Sequence, residues 1–164
     1  MMKIPRFGLA PVFFAFVAVC LSVHSMRAAS GTWSATPADA NWVPTGTNWS
    51  NGSALFPGAT SGTTNADVAT FNSASTQTGI TINSTTLNFK SILFDTSAAA
   101  FTIGSTGGNS LLLTSGGSIT MNAAVANTET VNAPISIQGA GGSYTIQNNA
   151  TDNSKLLNIG GAIT

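Results

Sequence analysis

One block of sequence occurs twice within residues 92–164, and this internal repeat limits the folds open to the chain. Phe101-Thr102-Ile103 returns 43 positions later as Tyr144-Thr145-Ile146. Residues 116–120 return 44 positions later as residues 160–164. A fixed period of this length is typical of repeat proteins, in which each unit buries its apolar face only against its neighbours.

Apolar and polar residues alternate through the second half of the chain, with the period of a half-buried strand. Examples are Ile80/Ile82, Phe101/Ile103 and Leu111/Leu113, and glycine pairs such as Gly116-Gly117 separate such segments. The pattern predicts an all-β fold, a parallel β-helix (β-solenoid), in which the 43–44 period spans two coils of about 21–22 residues. A β-sandwich is the alternative, but it does not require an internal repeat.

Residues 31–72 differ from the rest because they hold all three tryptophans, Trp33, Trp42 and Trp49. We interpret this segment as a Trp-rich N-terminal cap, since repeat arrays need atypical terminal units. The alternative hypothesis is an exposed aromatic platform that binds glycans, because an indole offers a flat apolar face and one donor. Residues 73–164 are assigned to the solenoid repeats. They stop inside the second copy of the block, so we expect the solenoid to be incomplete at its C-terminus.

Residues 1–30 have the order of a secretory signal peptide. Lys3 and Arg6 precede an uncharged apolar run over residues 9–21, and a polar stretch with small residues follows. Cleavage is expected after Ser30, with Ser25 as the alternative. A membrane anchor is the less favoured interpretation, because a span needs roughly 18–20 apolar residues. The predicted location is therefore secreted or at the cell surface.

The residues that follow position 30 exclude most kinds of catalytic chemistry. They contain no His, Cys or Arg, so a Ser-His-Asp triad and a thiolate metal site cannot form. The acidic residues leave only a carboxylate pair as hydrolytic machinery. We interpret each of them instead as a solvated turn residue, and expect no enzyme activity and no catalytic, cofactor-binding or metal-binding residue. They are Asp39, Asp67, Asp95, Glu129 and Asp152.

Lys90 and Lys155 are the only basic residues after position 30, against those five acids, so this part carries a net charge of −3. A nucleic-acid surface needs clustered Lys and Arg, so nucleic acid is excluded as a partner. Contact with a membrane is expected only through export, or through a C-terminal anchor outside these residues.

A family resemblance rests on Trp33, Asn48-Trp49-Ser50, Pro57-Gly58 and residues 67–71, followed by residues 156–164. This series resembles bacterial proteins with autotransporter-associated β-strand repeats. The resemblance implies a right-handed parallel β-helix at or beyond the outer membrane, and the family has no catalytic motif to transfer.

Two functions are consistent with these observations. The first is an exported, non-catalytic structural or display module of a bacterial surface or secreted protein. The alternative is an adhesin or glycan-binding module that uses Trp33, Trp42 and Trp49. The expected partners are surface glycans or other cell-surface components.

Overall fold

The computed structural model describes residues 29–139 and 142–164, so nearly all of the predicted signal peptide lies outside the described residues. The described part is all-β, with ten strands and no helix, and its parallel strands stack as a β-solenoid of about 3 turns. The predicted fold class is confirmed. These ranges likewise contain no helix long and apolar enough to cross a membrane.

The strands form three parallel ladders, and β4 (Leu87–Phe94) and β6 (Leu111–Met121) each contribute to two of them. Ladder 1 contains β1 (Gly31–Thr32), β2 (Val68–Phe71), the second halves of β4 and β6, and β9 (Thr145–Asn148). Ladder 2 contains β3 (Gly79–Ile80), β5 (Thr102–Ile103), β7 (Glu129–Val131) and β10 (Leu157–Ile159). Ladder 3 contains the first halves of β4 and β6, and β8 (Ile135–Ile137).

The strand register gives the length of one coil directly. In ladder 1, Ala69 pairs with Ile92, Ile92 with Ile119, and Ile119 with Ile146, which are steps of 23, 27 and 27 residues. Ladder 2 advances by 23 or 28 residues. The predicted coil of about 21–22 residues is therefore wrong. Each coil contributes to three ladders and also contains the turns between them. It therefore needs more residues than the predicted coil length allows.

The two copies of the repeated block do not occupy equivalent positions. Thr102-Ile103 lies in ladder 2, whereas Thr145-Ile146 lies in ladder 1. Because 43 residues exceed one coil and fall short of two, the second copy has moved on to another ladder. The expected equivalence of Ile103 and Ile146 is wrong, and the two side chains are 0% and 41% exposed. All three ladders need inward apolar residues and tight turns, so similar strings suit any of them.

Inward side chains of successive coils stack on one another and form the core. Ladder 1 stacks Ala69, Ile92 and Ile119, and each is fully buried. Burying one isoleucine side chain, such as that of Ile92 or Ile119, contributes roughly 1.5–3 kcal/mol. The other ladders contribute equivalent stacks, namely Ile80, Ile103 and Val131 in ladder 2, and Leu87, Leu111 and Ile135 in ladder 3.

Residues 31–72, the predicted cap, form a modified first coil that shares this core. β1 pairs with β2 in ladder 1, and Asn41 bridges Thr81 in parallel beside ladder 2. At ladder 3 the direction changes, because Ala59 bridges Asn88 in an antiparallel sense. The segment therefore contacts all three ladders.

We predict that Gly117→Ala destabilises the fold. Gly117 lies in β6 between its two ladder segments, and an added Cβ would stand 2.5 Å from the Lys90 carbonyl oxygen and 2.7 Å from a Leu113 methyl group. Relieving that overlap should cost about 1–3 kcal/mol of the free energy of unfolding. Gly79→Ala is the control, because no atom lies within 4 Å of its added Cβ, and we expect a change below about 1 kcal/mol. Equal losses of stability in denaturant titrations would show that the close approach of Lys90 and Leu113 to Gly117 does not decide the effect.

Candidate functional site

The three tryptophans predicted as a glycan platform lie inside the protein. Trp33 is 1% exposed, and Trp42 and Trp49 are 0% exposed. The ring centroids of Trp33 and Trp49 are 5.0 Å apart in an edge-to-face arrangement, and those of Trp42 and Trp49 are also 5.0 Å apart. Phe71 connects this cluster to the solenoid interior, with its ring 4.8 Å from that of Phe101.

The indole N–H groups are used inside the protein as well. Trp33 donates to the carbonyl oxygen of Gln77 at 3.0 Å, and Trp49 donates to that of Trp42 at 2.9 Å. Trp42 donates to the carbonyl oxygen of Pro57 at 2.8 Å. Neither the ring faces nor the donors are open to a sugar. The hypothesis of an exposed platform at Trp33, Trp42 and Trp49 is therefore contradicted by their burial, which satisfies both the apolar rings and their polar atoms.

Two of the aspartates accept hydrogen bonds from asparagine residues, within one coil at Asp39 and between coils at Asp95. Asp39 accepts from the Asn41 N–H at 2.8 Å and from the Asn48 amide at 2.6 Å. Desolvation raises the pKa of Asp39, but these hydrogen bonds outweigh it and keep the pKa below its ordinary value. Asp95 accepts from the Asn122 amide at 2.8 Å, and this bond is the main cause of its lowered pKa.

The other two aspartates also make local contacts. Asp67 accepts from the Gly58 N–H at 3.1 Å and so fixes the chain before β2. Asp152 accepts from the Ser154 N–H at 2.9 Å, and hydrogen bonds from Ser154 lower its pKa. All four aspartates therefore accept hydrogen bonds within the protein.

Glu129 departs from that interpretation, because its side chain is 0% exposed and sits in ladder 2. Its strand neighbour in the next coil is Leu157, and its Oε2 accepts the Phe101 N–H at 2.9 Å. Its Oε1 has no hydrogen-bond partner among the described residues. Burial raises the pKa of Glu129 to about 7, and the hydrogen bond from Phe101 only partly opposes this. The sequence signal for the burial of Glu129 is the alternation along β7, which places Glu129 on the same side as the buried Val131.

The surroundings of Glu129 define what it can do chemically. The carboxyl is closed off from solvent, and the ion pair found in the described ranges joins Lys155 to Asp152 instead. No group of three or more His, Cys, Asp or Glu side chains lies together in the residues that the structure describes. Glu129 is thus placed to influence stability as it titrates, and it has no access to a substrate.

An open groove of about 570 Å³ lies beside ladder 2 and was not predicted. Its walls are backbone, glycines and small side chains, and no carboxylate, lysine or aromatic ring lines it. Thr102 and Asn109 are among its polar residues, and the Asn109 amide already donates to the Ile82 carbonyl at 2.8 Å. The groove thus offers neutral polar groups, such as the hydroxyls of Thr102 and Ser105, beside the apolar Ile80 and Ile82.

We predict that Glu129 makes stability fall as the pH rises towards 7. Its pKa is raised above the ordinary value of 4.5, so folding favours the protonated carboxyl. The stabilisation is fully present below about pH 4.5 and is lost as the pH rises through about 7. The difference between pH 4 and pH 8 should be on the order of 3 kcal/mol.

Glu129→Gln replaces the carboxyl by a neutral group of the same shape and is the matched test. We expect equal stability of both proteins near pH 4, and a more stable variant at pH 8, from denaturant titrations at each pH. Parallel pH profiles of the wild-type and variant proteins would show that Glu129 does not titrate in this range.

Comparison with known proteins adds no family to these observations. No protein-family model, no curated protein and no solved structure matches the chain. The function proposed below therefore rests on the sequence and on the geometry of the described residues.

Proposed function

We propose that the chain is an exported, non-catalytic structural or display module of a bacterial surface or secreted protein. The observation that carries the proposal is that its tryptophan and acidic side chains make their contacts inside the protein. The three indoles are buried, four aspartates accept hydrogen bonds within the protein, and Glu129 is enclosed in the core. The side chains most suited to binding or catalysis thus serve the fold.

Polar side chains connect successive coils and support a rod-like role. The Asn127 amide donates to the Ala98 carbonyl at 2.7 Å, one coil earlier in the chain. The hydroxyl of Ser118 donates to that of Ser91 at 2.9 Å across ladder 1. Such uncharged contacts repeat along the stack and stiffen it, as expected of a module whose task is to extend or present.

Two features of the sequence support export. Residues 1–30 have the charge and apolar order of a signal peptide, and residues 31–164 resemble bacterial autotransporter-associated β-strand repeats. Both favour a secreted or cell-surface location, with surface glycans or other cell-surface components as the neighbours of the module. An adhesin that uses the tryptophans is not supported, because those rings are buried.

Export is tested by expressing the chain with its own N-terminus in a Gram-negative host. The exported product should begin near Gly31 when its N-terminus is sequenced. Val17→Asp places a charge in the apolar run and should retain the uncleaved chain in the cytoplasm, whereas Val17→Leu should be exported normally. An uncleaved wild-type N-terminus in the membrane fraction would contradict the proposal.

Absence of catalysis is tested on the exported product with neutral and acidic polysaccharides, by assaying for reducing ends and unsaturated products. We expect no turnover above the level of a heat-unfolded sample. Turnover that is lost in Asp39→Asn or Asp95→Asn, in variants that remain folded, would refute the structural role.

A further inference from the structure

A short segment of the first coil runs along the outside of ladder 3. We call residues 59–66 the strap. The Thr60 carbonyl accepts a hydrogen bond from the hydroxyl of Thr86 at 2.8 Å. Further along the strap, the Asn65 carbonyl accepts a hydrogen bond from the hydroxyl of Thr114 in β6, also at 2.8 Å. The strap is therefore tied to two successive coils.

A cleft of about 250 Å³ is lined by the strap and by ladder 3 together. The strap contributes Gly62 and Thr63. Ladder 3 contributes Asn88, Leu112 and Ser136, which pair with one another from coil to coil and form an outward column. Among the residues that the structure describes, no charged side chain and no aromatic ring lines the cleft.

Asn88 supplies the observation that points to a ligand. Its side chain is only 1% exposed, although it lies on the outer face of β4. Its Nδ2 donates to the carbonyl oxygens of Ser61 and Gly62, each at 2.8 Å. Its Oδ1 is buried and accepts no hydrogen bond within the described part of the chain. A buried oxygen without a donor is destabilising, so a donor from a bound molecule would satisfy it.

The other groups of the cleft define the chemistry of that molecule. The hydroxyls of Thr85 and Ser110 line it, and a hydroxyl both donates and accepts hydrogen bonds. Leu112 points outward between the buried Leu111 and Leu113, and it is only half-buried, so it offers an apolar surface. A charged ligand would find no opposite charge here. An uncharged ring with several hydroxyls and an apolar C–H face, as in a neutral sugar, matches all three features.

We propose that the cleft binds one neutral pyranose residue of a glycan. One sugar hydroxyl donates to Asn88 Oδ1, the C–H face of the ring lies on Leu112, and other hydroxyls bond to Ser110. Residues 61–64 of the strap are exposed, so the strap shifts outward as the ring enters. A ligand of one ring binds with a roughly millimolar Kd. This site goes beyond the structural role and uses none of the tryptophans.

The test is an NMR titration of the folded chain with methyl glucoside, methyl galactoside and methyl mannoside. Each is added up to about 50 mM, well above a millimolar Kd. We expect at least one of them to give saturable shifts of the Asn88 side-chain amide and the Leu112 methyl groups. Ser110→Ala removes one hydroxyl and should weaken binding about three- to tenfold. Ser110→Phe fills the cleft and should abolish binding.

Ser105→Phe is the matched control, because it places the same ring in the larger groove beside ladder 2 and should leave binding unchanged. The backbone amide spectrum of each variant shows whether it is folded, and Ser110→Ala keeps the test valid if Ser110→Phe does not fold. No shift with any of the three sugars would overturn the proposal, as would full affinity in Ser110→Ala. Binding that is lost in Ser105→Phe and kept in Ser110→Phe would place the sugar in the groove and would also overturn it. None of these results bears on export or on the absence of catalysis.

Discussion

The parallel ladders impose one constraint on which the rest of the structure depends. A residue that faces inward in one coil must stack on residues that face inward in the coils before and after it. Ile92 can be fully buried only because Ala69 and Ile119 occupy the same column. Stability therefore arises between coils, and no coil forms a core alone.

The constraint explains both the tryptophan cluster in residues 31–72 and the raised pKa of Glu129. In the first of the described coils, three indoles pack around Phe71 and fill the interior. The strand neighbour of Glu129 in β10 is Leu157, which offers no opposite charge. Burial therefore raises the pKa of Glu129 and favours its protonated form. Ile146 lies in the last of the described coils, and 41% of its side chain is exposed.

Local chemistry made much of the fold predictable from the sequence. Alternation at Phe101/Ile103 and Leu111/Leu113 identified inward residues. Gly116-Gly117 was predicted to separate two strands, whereas β6 continues through both glycines and passes there from ladder 3 to ladder 1. Coil length was not predictable in the same way, because the 43–44 repeat runs from one ladder to another and any ladder accepts the same pattern. The burial of Trp33, Trp42 and Trp49 depends on contacts with Phe71, which lies later in the chain and was not identified as their partner.

The most direct test of the stacked-column account compares adjacent positions of β5. Ile103 is fully buried, whereas Thr102 is partly exposed beside Thr130 of the next coil. Ile103→Asp loses roughly 1.5–3 kcal/mol of apolar burial and adds a buried charge, which should unfold a domain whose total stability is about 5–15 kcal/mol. Thr102→Asp should cost about 1 kcal/mol or less. If denaturant unfolding shows equal damage in both variants, the two faces of the strand are equally buried and the account is wrong.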